Sequence, residues 1–218
     1  MVADVKVKIC GLRTEETVQT AVKMGADYIG FVFFAKSPRF VTPSQNASLA
    51  VHIPAEVTKV GLVVDADDVL LENIMSKGAI DMLQLQGKET PARVAEIKAK
   101  TGLPVMKALG VSDERDLAVL EAYIGIADQL LIDAKPPKGA ELPGGNGLAF
   151  DWTLLKGATI AAPWMLAGGL TPDNVATALL VTGARQVDVS SGVERHAGEK
   201  DIAKMTAFIK NAKSNPSQ

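Results

Sequence analysis

Gly25-Ala26-Asp27-Tyr28-Ile29-Gly30-Phe31-Val32-Phe33 is the stretch on which the fold turns. Its first glycine suits the left-handed position just past a helix C-terminus. The apolar run behind it is short and rich in β-formers, as a strand buried on both faces would be. The same transition recurs at Gly78-Ala79-Ile80-Asp81, Gly125-Ile126-Ala127-Asp128 and Gly183-Ala184-Arg185. The spacing is about 50 residues, enough for two strands and two helices per unit. Four units give eight strands and eight helices. No run carries an edge-strand signature, so a small closed (β/α)8 TIM barrel of eight parallel strands is expected over an open doubly wound sheet.

Working outward, the strands are expected at Val5–Cys10, Tyr28–Phe34, Val57–Val64, Met82–Leu85, Pro104–Leu109, Gln129–Ile132, Pro163–Ala167 and Gln186–Val189. Helical spacing falls at Thr14–Met24, Pro43–His52, Asp67–Ser76, Pro91–Lys100, Glu114–Tyr123, Trp152–Lys156, Asp173–Val181 and Asp201–Lys213. Start signals support several of them, such as Thr14 before Glu15-Glu16 and Thr171-Pro172-Asp173 before an Ala/Leu run. One barrel domain is expected over residues 1–213, followed by a polar tail at 214–218.

Composition narrows the class. The 218 residues are 47% hydrophobic and 22% charged, which is ordinary globular usage. Lys plus Arg total 23 and Asp plus Glu total 25, giving a net charge of −2 and no footprint of a nucleic-acid binder. The single cysteine, Cys10, excludes an intrachain disulfide and a Cys-rich zinc site. His52 and His196 are the only histidines, which argues against a His-rich metal site. The longest uncharged stretch, Gly157 to Pro172, is interrupted by Pro163, Gly168 and Gly169 and is too short to span a membrane. Met1-Val2-Ala3-Asp4 leads into the first strand without a signal-peptide pattern. The expectation is a cytoplasmic protein with neither a membrane nor a nucleic acid as partner.

In a barrel of this kind, chemistry sits at the C-terminal ends of the strands. Gly168-Gly169 and Ser190-Ser191-Gly192 follow strands seven and eight. Their backbone N–H groups and hydroxyls suit a phosphate, although such glycines can also serve only as tight turns. Cys10 ends strand one and is followed by Gly11; it is either a reactive thiol or a small buried hydrophobe. Alternation puts Lys6, Lys8 and Cys10 on one face, with Val5, Val7 and Ile9 toward the helices. Lys8, one layer beneath Cys10, would favour the thiolate and needs an inward carboxylate, for which Asp188 on the adjacent strand is the natural partner. Asp133 closes the apolar run Leu130-Leu131-Ile132 and is either a functional carboxylate or a helix or loop cap. Lys107 is offered by strand five. Arg39 suits a carboxylate or a phosphate, or is a solvated loop residue. Gly144-Gly145-Asn146-Gly147 reads as a lid or as a plain connection.

Together, Lys8-Ile9-Cys10-Gly11, the stretch from Gly25 to Phe33, Ser37-Pro38-Arg39, Gln84-Leu85-Gln86-Gly87, Leu131-Ile132-Asp133, Phe150-Asp151-Trp152, Ala167-Gly168-Gly169-Leu170 and Asp188-Val189-Ser190-Ser191-Gly192-Val193-Glu194 resemble the phosphoribosylanthranilate isomerase family of tryptophan biosynthesis. The resemblance covers nearly the whole chain. It implies an Amadori rearrangement of an aminoaldose to an aminoketose without a cofactor or a metal. It implies Asp133 as general acid on the furanose ring oxygen and Cys10 as general base at C2′. It further implies Arg39 on the anthranilate carboxylate and Gly168, Gly169, Ser190, Ser191 and Gly192 around the phosphate. Lys8 and Asp188 are expected to support the base.

The sequence departs from the family's usual pattern at Gln86, where histidine is common, at Asn146 and Leu148 in the glycine loop, and at Ala35, where proline is common. None of these removes the acid, the base or the anion anchors. The rivals are another sugar-phosphate barrel enzyme and a non-catalytic phosphometabolite-binding barrel. Retention of both Cys10 and Asp133 argues against the second. A monomer or a homodimer suits the chain equally.

Overall fold

A computed structural model describes residues 5–135, 144 and 151–214. Eight parallel strands close into a barrel in sequence order: β1 (Lys6–Cys10), β2 (Tyr28–Val32), β3 (Thr58–Val63), β4 (Met82–Leu85), β5 (Val105–Val111), β6 (Gln129–Ala134), β7 (Trp164–Leu166) and β8 (Gln186–Val189). The ring is sealed where β8 pairs with β1, with Lys8 opposite Asp188.

Around it lie α1 (Glu15–Lys23), α2 (Pro43–Ala50), α3 (Asp68–Lys77), α4 (Pro91–Thr101), α5 (Glu114–Glu121), α6 (Val175–Thr182) and α7 (Ile202–Lys213). The expected helix at Trp152–Lys156 is a single 3₁₀ turn, Trp152–Leu155, so seven α-helices are described rather than eight. Gly157 follows at φ 75°, a left-handed conformation that cannot continue the helix. Asp67 and Asp201 cap their helices instead of opening them, because each side chain accepts a backbone N–H of the first turn. Of the four recurrent glycines, Gly25, Gly125 and Gly183 are left-handed. Gly78 is not, at φ −83°. There a Cβ would lie 2.6 Å from the Ile74 carbonyl oxygen, so glycine answers close packing rather than handedness.

The strands read as apolar on both faces because two cores exist. Residues such as Ile9, Phe31, Leu85 and Phe208 fill the layer between barrel and helices. Tyr28, Val60, Met106, Ala108, Leu131, Met165 and Ala167 fill the barrel itself. The inner floor is polar: the Tyr28 hydroxyl and the Gln129 amide both donate to Gln186 Oε1, at 3.0 Å each. After β8 the chain makes an unforeseen hairpin, β9 (Glu194–His196) and β10 (Glu199–Lys200). None of the described helices is long and apolar enough to cross a membrane. The segment 1–4, Gly145 to Phe150 of the glycine loop and residues 215–218 of the tail lie outside the described residues.

Candidate active site

One cavity at the C-terminal mouth is lined by Cys10, Arg39, Gln84, Gln86, Asp133 and Asp188, among others. Strand parity assembles them. Cys10 stands two residues above Lys8 on β1, Asp133 two above Leu131 on β6, and Gln86 two above Gln84 at the end of β4. β6 runs two residues past its expected end, so Asp133 is a strand residue paired with Gly110 rather than a loop residue.

Lys8 is fully buried and its Nζ lies 2.8 Å from Asp188 Oδ1. Burial pulls the Lys8 pKa down, but Asp188 and then Cys10 more than offset this, and the net direction is up. The ammonium therefore stays charged. Lys6 shares the parity but is exposed at the foot of β1, so the expected inward lysine face holds only from Lys8 upward.

The Cys10 thiol is buried, and its fit depends on β2. Gly30 is its register partner, and a Cβ there would lie 2.9 Å from Sγ. Burial pushes the thiol pKa up, and the opposing pull of Lys8, with a smaller one from Lys200, does not cancel it. Lys8 acts in the expected direction, but desolvation outweighs it.

The Asp133 carboxyl is pushed up to about 7, first by burial and then by the charge of Asp188. Its Oδ1 accepts the Ala134 N–H at 2.8 Å, and its Oδ2 accepts from Gln86 Nε2 at 3.2 Å. A carboxyl with that value holds its proton through most of the range below neutrality and can give it up near pH 7.

Arg39 is not the solvated loop arginine its sequence context allowed. It is 5% exposed and forks onto Glu194, with Nε to Oε1 and Nη2 to Oε2 at 2.8 Å each. Glu194 Oε1 also accepts from buried Lys200 at 2.8 Å, and Lys200 reaches the Ser190 carbonyl oxygen at 2.9 Å. The Ser190 hydroxyl in turn donates to the Cys10 carbonyl oxygen at 3.1 Å. The β9–β10 hairpin is therefore a strut joining Arg39 to the β8 loop. Burial raises the Glu194 carboxyl, but Arg39 and then Lys200 hold it below its ordinary value. Strand periodicity singles out neither the place of Glu194 in this strut nor Lys200. The available signal was His196-Ala197-Gly198-Glu199, a turn bounded by charges of both signs.

Gly168 and Gly169 are left-handed, at φ 86° and 63°. A Cβ on Gly168 would lie 2.5 Å from the Ala134 nitrogen, and one on Gly192 would collide with the Leu170 carbonyl oxygen. The loops after β7 and β8 thus pack backbone to backbone. Asn174 steadies the first of them, accepting from Thr171 N at 2.7 Å and donating to Gly169 O at 2.9 Å. α6 begins at Val175, two residues later than expected, after a turn in which the Asn174 and Val175 N–H groups both donate to the Thr171 carbonyl oxygen.

Lys107 does not join the site. Its neighbours Met106 and Ala108 face the barrel interior, whereas its own Nζ bonds to Glu89 Oε2 and to the carbonyls of Leu85 and Gly87. Among the described residues, no cluster of three or more His, Cys, Asp or Glu side chains is arranged to hold a metal ion.

Comparison with known proteins agrees with this architecture. The family model for N-(5′-phosphoribosyl)anthranilate isomerase matches residues 7–211. A protein of that name from Paracoccus denitrificans is 58% identical over 208 residues, covering 95% of this chain and 97% of the relative. One from Paramagnetospirillum magneticum is 56% identical over 209 residues, covering 96% and 97%. The crystal structure of the Thermotoga maritima phosphoribosyl anthranilate isomerase superposes with a TM-score of 0.85 at 36% identity, covering 96% of this chain and 98% of that one. A phosphoribosyl anthranilate isomerase solved with reduced 1-(o-carboxyphenylamino)-1-deoxyribulose 5-phosphate matches with a TM-score of 0.82 at 34% identity over the same shares.

Proposed function

The chain belongs to the phosphoribosylanthranilate isomerase family, and from that premise we propose how its own residues divide the chemistry. The enzyme is an isomerase of tryptophan biosynthesis that carries out the Amadori rearrangement of N-(5′-phosphoribosyl)anthranilate. The observation that supports the division best is a carboxyl titrating at about 7 that shares one cavity with a buried thiol.

Asp133 is the general acid. It protonates the furanose ring oxygen, the C1′–O bond breaks, and the anthranilate nitrogen lone pair forms the C1′=N bond of a Schiff base. Cys10 is the general base. Its thiolate takes the C2′ proton, the released pair forms C1′=C2′, and the imine π pair returns to nitrogen. The enolamine then gains a proton at C1′ and loses one from the C2′ hydroxyl, which yields the ketone. No electrons leave the substrate, so the chemistry needs no redox cofactor. The resting thiol is protonated; once the ring has opened, Asp133 is ionised and takes the thiol proton, and the positive charge on the iminium joins Lys8 in favouring the thiolate.

Substrate is held at two ends. Gly168, Gly169, Ser190, Ser191 and Gly192 receive the phosphate, and Arg39, held by Glu194, receives the anthranilate carboxylate. With a net charge of −2 the protein does not attract a dianion as a whole, so the attraction is local. The reading includes a single catalytic domain over residues 1–213, working in the cytoplasm as a monomer or homodimer.

The test follows loss of anthranilate fluorescence in Asp133→Asn. Turnover should fall by about 10²–10⁴-fold with substrate affinity nearly kept. In the wild type, kcat/KM should decline as pH rises through about 7 and Asp133 loses its proton. Full activity in Asp133→Asn would overturn the assignment of the acid.

A further inference from the structure

Two glutamines inside the barrel have no part in the chemistry above. Gln84 is 1% exposed, facing inward from β4, and Gln86 follows on the same face. Gln84 Nε2 donates to Gln86 Oε1 at 2.6 Å, and Gln86 Nε2 donates to Asp133 Oδ2 at 3.2 Å. On β5, the strand between, Met106 is the register partner of Gln84 and Gly110 that of Asp133, with Ala108 facing the interior between those two levels. At its far end Gln84 Oε1 is buried and accepts no hydrogen bond among the described residues. A buried polar atom of this kind is uncommon and calls for a reason.

An amide can present either its NH₂ or its oxygen to a neighbour after a half-turn about its last torsion. An ionised Asp133 can only accept, and it faces Gln86 Nε2. A protonated Asp133 must donate, and it needs an oxygen at the same place. If Gln86 turns over, its Nε2 faces Gln84, which can answer only by turning as well. The unbonded far end of Gln84 makes that turn possible, because no partner there fixes its direction.

We propose that Gln84 and Gln86 form a reversible amide relay that positions the Asp133 proton, reading one way when the carboxyl is charged and the other way when it is neutral. They are positioning residues, since they act through Asp133. The relay lets Asp133 give up its proton while keeping its hydrogen bond to Gln86 in either state and without any change of charge in its neighbour; the unmet group stays at the far end of Gln84. The other ionisable groups around Asp133 are Asp188 on β8, Lys8 and Cys10 on β1, and Arg39 after β2; none of them can reverse a hydrogen bond in this way.

The inference rests on Asp133 as the acid, so its test does not use turnover alone. In the isotopically labelled full chain, the side-chain NH₂ signals of Gln84 and Gln86 should titrate together with one midpoint near 7. Both titrations should vanish in Asp133→Asn. The kinetic arm is graded. A hydrogen bond to the ion is stronger than one to the acid, so Gln86→Leu should move the basic limb of kcat/KM up by about half a unit to one unit. Gln84→Met does not touch Asp133, yet by weakening the polarised chain it should move the limb the same way by a few tenths of a unit. A packing role alone would lower thermal stability and leave the limb where it is. A flat Gln84 signal, or an unmoved limb in a folded Gln84→Met, overturns the relay. If both amides titrate while Asp133→Asn keeps full turnover, the relay stands and the assignment of the acid falls.

Discussion

Two lysines of this barrel are buried almost equally and paired almost equally, and they do different work. Lys8 is 0% exposed and 2.8 Å from Asp188; Lys107 is 2% exposed and 2.7 Å from Glu89. Lys8 faces the barrel interior. Lys107 faces outward, 5.9 Å from the centre of the Tyr123 ring. The three bonds of Lys107 go to Leu85, Gly87 and Glu89, and Tyr123 donates to the Glu89 carbonyl oxygen. It ties the loop after β4 in place. Lys8 has one carboxylate and a buried thiol for neighbours, so its charge acts on a group that titrates. A buried ion pair does not declare its role by its length; what else the ammonium faces does.

The sharpest contrast is at the thiol itself. On the proposed mechanism, Cys10→Ala removes the base that Lys8 serves. Turnover should fall by about 10²–10⁴-fold with little change in ligand affinity. Near-normal turnover would return Cys10 to a packing role and make the two lysines equivalent.

Breaking each pair tests the comparison directly. Removing one partner of a buried ion pair costs about 3–5 kcal/mol. Lys8→Met and Lys107→Met should therefore both lower the melting temperature. Only Lys8→Met should also raise the Cys10 pKa, since an attractive ammonium is lost, and so slow thiol alkylation at a given pH. Equal alkylation profiles in wild type and Lys8→Met would show that the inner lysine is as purely structural as the outer one.

Arg39 is a further buried cation, lining the cavity at the mouth of the barrel. Its fork on Glu194 is structural like the bonds of Lys107, yet it lines the cavity as Asp188 does. Arg39→Ala should lose a charge-assisted contact of about 1.5–3 kcal/mol, or one to two decades in KM for the carboxylated substrate. Ribose 5-phosphate lacks that carboxylate, and its binding should hardly change. Equal weakening of both ligands would move Arg39 to the phosphate.

How much of this was legible in the sequence follows the same division between faces. Period-two reading put Lys8, Cys10 and Asp188 inward, and the ring closure of β8 on β1 supplied the pair. The same reading applied to Gln84 and Gln86 would have turned both inward, since two amides inside an apolar run need partners. Lys107 stands outside the site because parity, not nearness to a strand end, decides which face its side chain takes. The magnitude of burial was also out of reach. Sequence shows that Lys8 sits beneath Cys10, but only packing shows that desolvation of the thiol exceeds the attraction. The long-range strut from Arg39 through Glu194 to Lys200 joins residues 155 positions apart and depends on a hairpin that no periodicity announced.

The smallest expected effect concerns the cover over the acid. Gly144 lies against the Gln86–Asp133 contact so closely that a Cβ there would come within 2.7 Å of Gln86 Nε2 and 2.9 Å of Asp133 Oδ2. Contacts that short force something to shift, and the backbone at residue 144 must retreat or the two side chains must part. Either outcome admits water to Asp133. Burial is the largest cause of its raised pKa, so hydration should bring the value down from about 7 toward the ordinary carboxylate range. Gly144→Ala should therefore move the basic limb of kcat/KM to lower pH by about half a unit, leaving the Cys10 alkylation profile and the melting temperature nearly unchanged. Gln86→Leu is expected to move the same limb the other way, so the pair of variants separates loss of desolvation from loss of a hydrogen bond. A limb that moves upward in both would mean that the glycine holds the amide in place rather than keeping water out.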